Sequence, residues 1–109
     1  MKFTVEQTTE PAIIAINGDV LGGADAMEFT RGVGQLVRDG ARKVIVDLNG
    51  VELMNSSGLG MLVGGAKTVR GAGGEFCVVG ANQKILSLFK MTRLDAVFRT
   101  FATREDALV

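Results

Sequence analysis

Lys43-Val-Ile-Val-Asp-Leu-Asn-Gly-Val-Glu-Leu-Met-Asn-Ser-Ser-Gly-Leu-Gly60 is the stretch that decides the fold. Its first half, Val44 to Leu48, is an apolar run of the kind a strand buried on both faces requires. Its second half, Met54 to Gly60, hands that strand over to a helix predicted over Ser57 to Arg70. Two adjacent hydroxyls, Ser56 and Ser57, therefore face solvent beside the positive end of a helix dipole, where a phosphate is well accommodated. A serine in this position ordinarily caps the helix, which is worth about 1 kcal/mol.

Outward from this segment the chain alternates between strand and helix patterns. Lys2 to Glu6 alternates apolar and polar as an edge strand does, and Ala12 to Ile16 is continuously apolar, so Gln7 to Pro11 is expected to close a hairpin. Asp25-Ala-Met-Glu28 fits a capping box opening a helix to about Asp39. That helix carries Ala26, Phe29, Val33, Leu36 and Val37 as its core stripe, and Gly40 stops it. After the turn Gly71 to Gly74, Phe76 to Val79 reads as a third inner strand. Asn82 is placed to cap a short helix with Ile85, Leu86 and Phe89, Val97 to Phe101 as a last strand, and Thr103 to cap a C-terminal helix. The fold class is α/β: a single domain over residues 1–109, with a mostly parallel central sheet, an N-terminal antiparallel hairpin and about four helices.

Composition narrows the function. Twelve basic and twelve acidic residues cancel without forming a basic block, so the electrostatic footprint of a nucleic-acid binder or a polybasic membrane anchor is missing. No segment has the apolar length of a signal peptide core or a membrane span, and a cytoplasmic location is expected. The single Cys77, between Phe76 and Val78, reads as a buried, inert thiol. Enzymatic chemistry is not expected. A nucleophile elbow needs glycine two residues before its serine, which Ser56 and Ser57 lack, and the chain has no histidine to act as base or to complete a zinc site. Gly58-Leu-Gly60 through Gly64 has the wrong spacing for a dinucleotide fingerprint, and no cofactor or metal is expected. Asp19, Asp25, Asp39 and Asp47 are assigned capping or solvated roles.

On a helical wheel of the predicted second helix, Leu59, Leu62, Val63, Ala66 and Val69 form the core stripe. Ser57, Met61, Gly64, Gly65 and Thr68 fall opposite, an uncharged strip of small residues and a methionine that starts at the serine loop. Three glycines in one helix, Gly60, Gly64 and Gly65, each cost about 1 kcal/mol relative to alanine and need a reason. Docking of a partner supplies one. Met61→Lys or Gly64→Glu is then expected to abolish binding and leave thermal stability nearly intact.

Asp47-Leu48, Val51 and Met54 to Gly60 together resemble the signature D-L-x-x-V-x-x-[MI]-D-S-[ST]-G-L-G of bacterial anti-sigma-factor antagonists, the free-standing STAS domains. Gly73 to Val79 resembles the family's G-G-x-[FLM]-x-[VL] strand, and Leu88 to Phe98 its L-F-x-x-[ST]-x-[LM]-x-x-x-F tail, so the similarity spans nearly the whole chain. The resemblance implies that Ser56 is phosphorylated by a partner kinase that is itself the anti-sigma factor. The unmodified protein would bind that kinase and free a sigma factor, and a PPM-type phosphatase would reset the switch. Asn55, Ser57, Gly58, Met61, Gly64, Gly65 and Thr68 would make up the contact surface. The chain departs from the pattern at Asn55, where the family commonly has Asp, and at Leu21, where Gly18-Asp-Val-Leu21 replaces G-x-[LV]-D. These departures leave room for a STAS scaffold or transporter-associated subunit without phosphorylation, and the helix N-terminus at Ser56 to Gly60, as an anion cradle, leaves a nucleotide-binding sensor as a further alternative. The chain is expected to be a monomer, with a dimer through the exposed edge strand left open.

Overall fold

A computed structural model describes residues 1–9 and 11–108, so Glu10, within the expected hairpin connection, and Val109, the last residue of the expected domain, lie outside the described residues. The described chain runs β1 (Lys2–Gln7), β2 (Ala12–Asn17), α1 (Ala24–Arg38), β3 (Lys43–Gly50), α2 (Ser56–Gly71), β4 (Glu75–Val79), α3 (Gln83–Met91), a 3-10 turn (Leu94–Ala96), β5 (Arg99–Phe101) and α4 (Arg104–Leu108). The five strands form one sheet in chain order, β1 antiparallel to β2 and every other pair parallel. None of the described helices is long and apolar enough to cross a membrane.

Strands that advance across a sheet in one direction through crossovers of one hand must carry their helices on one face. That face holds the main core. Ala12, Ile14 and Ile16 of β2, Val44, Val46 and Leu48 of β3, and Phe76 and Val78 of β4 meet Phe29, Val33 and Leu36 of α1, Leu62, Ala66 and Val69 of α2, and Ile85 and Phe89 of α3. The opposite face is covered differently: Ile13, Ile45, Cys77 and Val79 lie under Ala107 of the short α4, with Phe101 at the margin. Burial on both faces is why β3 and β4 read as unbroken apolar runs. Cys77 is buried, and its thiol is pushed up to about 11, chiefly by burial and then by the neighbouring Glu75.

Three expectations are corrected. No capping box opens α1: Gly22 and Gly23 both have positive φ (86° and 77°), and the helix begins one residue before Asp25, without a side-chain cap. The Gly23 carbonyl accepts from the Ala26 amide at 3.1 Å, while the Asp25 carboxylate meets the Met1 ammonium at 3.3 Å. The last strand is shorter than Val97–Phe101, because Phe98 turns into the core, its ring edge-on to Phe76 and Phe89 at 5.7 and 5.2 Å. Asp47, assigned a capping or solvated role, is instead buried. Its carboxylate accepts from the Asn49 amide (2.8 Å), Asn49 Nδ2 (2.7 Å) and Arg104 Nε (2.7 Å), and Arg104 also grips Glu6 with two bonds of 2.9 and 3.0 Å. This ion cluster fastens α4 across the sheet to β1.

Candidate functional site

The serine loop is built by two connections lying side by side at the C-terminal ends of β2 and β3. Gly18 N–H donates to the Gly50 carbonyl (3.0 Å), Val20 N–H to Leu53 (2.9 Å) and Asn55 N–H back to Val20 (3.3 Å), so the segment after β2 is zipped to the segment after β3. Val20 and Met54 form a parallel bridge at the centre. From the other side Asn82, at the start of α3, donates through Nδ2 to the Glu52 carbonyl at 3.1 Å while its Oδ1 caps the Ile85 amide at 2.9 Å.

On this frame α2 starts at Ser56, one residue earlier than expected, and the cap is Asn55 rather than a serine. Asn55 has extended backbone, and its Oδ1 accepts from the Gly58 amide at 2.9 Å. Asparagine and aspartate are comparable caps, so the substitution relative to the family pattern keeps the bond and removes only the charge. Ser56 and Ser57 occupy the first two helical positions, whose amides have no intrahelical acceptor. Both are exposed, and among the described residues neither hydroxyl has a hydrogen-bond partner. A Cβ on Gly22 would fall 2.6 Å from Ser57 Cβ, so Ser57 is seated against the first loop.

The other expected contact residues divide. Gly58 is buried, and a side chain there would collide with the Val20 carbonyl, so its role is to seat the helix start. Gly64 is half-buried with open space where a Cβ would go, and Thr68, also half-buried, donates its hydroxyl to the Gly64 carbonyl at 3.0 Å. Met61 and Gly65 do not lie on an exposed strip. Met61 is 4% exposed, and Gly65 is wedged so that a Cβ would stand 3.0 Å from the Phe29 ring and 3.2 Å from that of Phe76. The cause is that α2 packs against α1 as well as the sheet, so its buried arc is wider than a helix with one neighbour would show. The exposed face that remains runs from Ser56 and Ser57 through Gly60 and Gly64 to Lys67 and Gly71, and its glycines Gly60, Gly64 and Gly71 meet nothing within 4 Å.

Residues missed in the sequence complete the surface. Leu21 in the loop after β2 and Leu53 in the loop after β3 are 53% and 51% exposed, and Met27 on α1 is 66% exposed. A groove of about 520 Å³ between α1 and α2 is lined by Ala26, Met27, Thr30, Arg31, Gly60 and Met61. Met27 sits outside the core stripe of α1, and that mismatch was the available signal. Leu21 and Leu53 lie in irregular segments with no periodicity to violate. Large exposed apolar side chains gathered around two hydroxyls are what a protein-binding surface offers.

The STAS domain family model matches residues 2–107. The anti-sigma-F factor antagonist RsfB of Mycobacterium tuberculosis is 31% identical over 106 residues, covering 96% of this chain and 84% of that protein. The TM1081 homologue of Thermotoga neapolitana is 30% identical over 74 residues, and the match spans 66% of that protein's length, just under two thirds. Among solved structures, an anti-sigma factor antagonist from Mycobacterium paratuberculosis superposes with a TM-score of 0.82 at 25% identity, over 98% of this chain and 90% of that one. The phosphorylated form of the Bacillus cell fate determinant SpoIIAA has the same fold, with a TM-score of 0.75 at 19% identity over 98% and 96% of the two chains.

Proposed function

The chain belongs to the STAS domain family, and from that premise we propose that it is an anti-sigma-factor antagonist: it binds a kinase-type anti-sigma factor and is switched off by phosphorylation of Ser56. The observation that carries this reading is the position of Ser56, exposed at the first turn of α2, without a hydrogen-bond partner among the described residues, and near the exposed Leu21, Leu53, Met27 and the glycine face of α2. A phosphate there adds about −1.5 to −2 charges. In the free protein the helix start and water accommodate that charge. Against a partner seated on apolar residues the same dianion must lose water, so modification weakens the complex without unfolding the domain. A thousandfold loss of affinity would correspond to about 4 kcal/mol.

Ser56 rather than Ser57 is the acceptor in this account, because it is the first serine of the pair in the family pattern and Ser57 is seated against Gly22. A PPM-type phosphatase would restore the binding form. Asn55, Ser57, Gly60 and Gly64 lie on the proposed contact surface, with Thr68 at its far end. Gly58 and Gly65 support that surface from beneath, and Met61 forms the wall of the adjoining groove. Incubation with the cognate kinase and ATP followed by mass spectrometry should show one phosphate, on Ser56. A single phosphate on Ser57, or none, would overturn the assignment.

A further inference from the structure

We infer that β1 is a self-complementary edge through which two copies of the chain pair as antiparallel strands, extending the two sheets into one. The proposal does not depend on the switch described above. β1 (Lys2–Gln7) pairs with β2 on one side only, and all of its residues except Phe3 are exposed. Set antiparallel to itself about Thr4, the strand places Lys2 opposite Glu6, Phe3 opposite Val5, and Thr4 opposite its own copy. An opposite-charge pair, an aromatic with a β-branched residue, and a threonine pair are each favourable cross-strand neighbours, and the two-fold axis makes the first two occur twice.

The faces agree. Thr4 lies opposite Ala15, which lies opposite Asp47, and Glu6 reaches Arg104 on that same side, so Lys2, Thr4 and Glu6 point to the face covered by α4. Phe3 and Val5 lie opposite Ile16 and Ile14 on the helix-covered face, where the 38% exposure of Val5 would be reduced by Phe3 of the second copy. Among the described residues Lys2 has no ion-pair partner, whereas Glu6 is held in place by Arg104, so a fixed carboxylate awaits an unpaired ammonium. The register irregularity between Val5 and Gln7 falls at Glu6, the last residue of the paired segment, whose side chain Arg104 holds in place. Charges on an edge strand usually prevent such pairing through like-charge repulsion, but here the two signs are placed symmetrically about Thr4 and attract. The other edge, β5, has only three residues and offers no comparable length.

The paired segment, Lys2 to Glu6 on each side, is small against the roughly 20–30 residues of a standard interface, so the dimer is weak and reversible. Sedimentation of the full chain at concentrations up to about 1 mM should show a monomer–dimer equilibrium. Lys2→Glu and Glu6→Lys, each alone, place like charges opposite one another and should raise the dissociation constant about tenfold or more. Mixing the two variants in equal amounts restores both ion pairs and should restore association, as should the double exchange within one chain. A parent that stays monomeric throughout overturns the proposal. So does association unaffected by the single variants, or a mixture and a double variant that both remain as monomeric as the single variants.

Discussion

Asn55 connects the chemistry of a single side chain to the behaviour of the serine beside it. Its amide oxygen holds the Gly58 amide at 2.9 Å, which fixes where α2 begins and therefore where Ser56 stands. Asn55→Ala should cost about 1 kcal/mol in urea unfolding, while Asn55→Asp should match or exceed the parent, because a carboxylate caps equally well and faces the positive end of the helix. Asp47 has a different influence, set from the other side of the sheet. Burial alone would raise its pKa, but the Asn49 backbone amide, the Arg104 guanidinium and the Asn49 side chain together hold it below the ordinary value of 3.8. Glu6 is likewise lowered, first by its hydrogen bonds from Arg104. A carboxylate whose pKa is depressed by folding contributes stability that is complete above its unfolded pKa and is lost as pH falls through the folded one. Urea midpoints should therefore decline steeply below the ordinary aspartate value. Arg104→Ala should flatten that decline and remove about 1–3 kcal/mol at neutral pH. The sequence could not show this pairing, because Arg104 is 57 residues from Asp47 and nothing local distinguishes an aspartate that has such a partner.

At the scale of the element, α2 shows what helical periodicity can and cannot reveal. Of the expected stripe, Leu59, Leu62, Ala66 and Val69 are buried as their spacing predicts, and Val63 is only half-buried. Met61 and Gly65 are buried too, against expectation, since a wheel drawn for one helix contains no information about a second helix packed alongside it. The glycines consequently separate by mechanism. Gly65 and Gly58 are required by close approach, to two phenylalanine rings and to a backbone carbonyl respectively. Gly60 and Gly64 are not, because a methyl group at either meets nothing within 4 Å. Gly64→Ala should thus stabilise the domain by up to about 1 kcal/mol and weaken partner binding, a combination expected of a glycine kept for function. Met61→Lys, by contrast, should destabilise by about 3 kcal/mol or more by placing a charge in a buried position. Thermal unfolding of the two variants, read beside their binding, separates the roles. The start of α1 carries the same lesson: Asp25 and Glu28 have capping-box spacing, yet the positive-φ pair Gly22 and Gly23 decides where the helix opens.

Across the whole molecule, strand order and helix placement bring the loops of the candidate site together. Parallel strands with one-sided crossovers put the connections leaving β2 and β3 at the same end of the sheet. The order of elements, the inner strands and the serine at the helix entrance were legible because each is written in local pattern. The exposed apolar side chains were not, since the exposure of Leu21, Leu53 and Met27 is set by how the loops and α1 pack and not by local pattern. Ser56 is exposed, and the loop that presents it is held by backbone hydrogen bonds that do not involve its hydroxyl, so modification should act on association and not on stability. The most direct test is calorimetric titration of the cognate anti-sigma factor with unmodified and with Ser56-phosphorylated protein of equal thermal stability. The account predicts an affinity at least about a hundredfold weaker for the phosphorylated form, about 2.7 kcal/mol. Equal affinities for the two forms would contradict it.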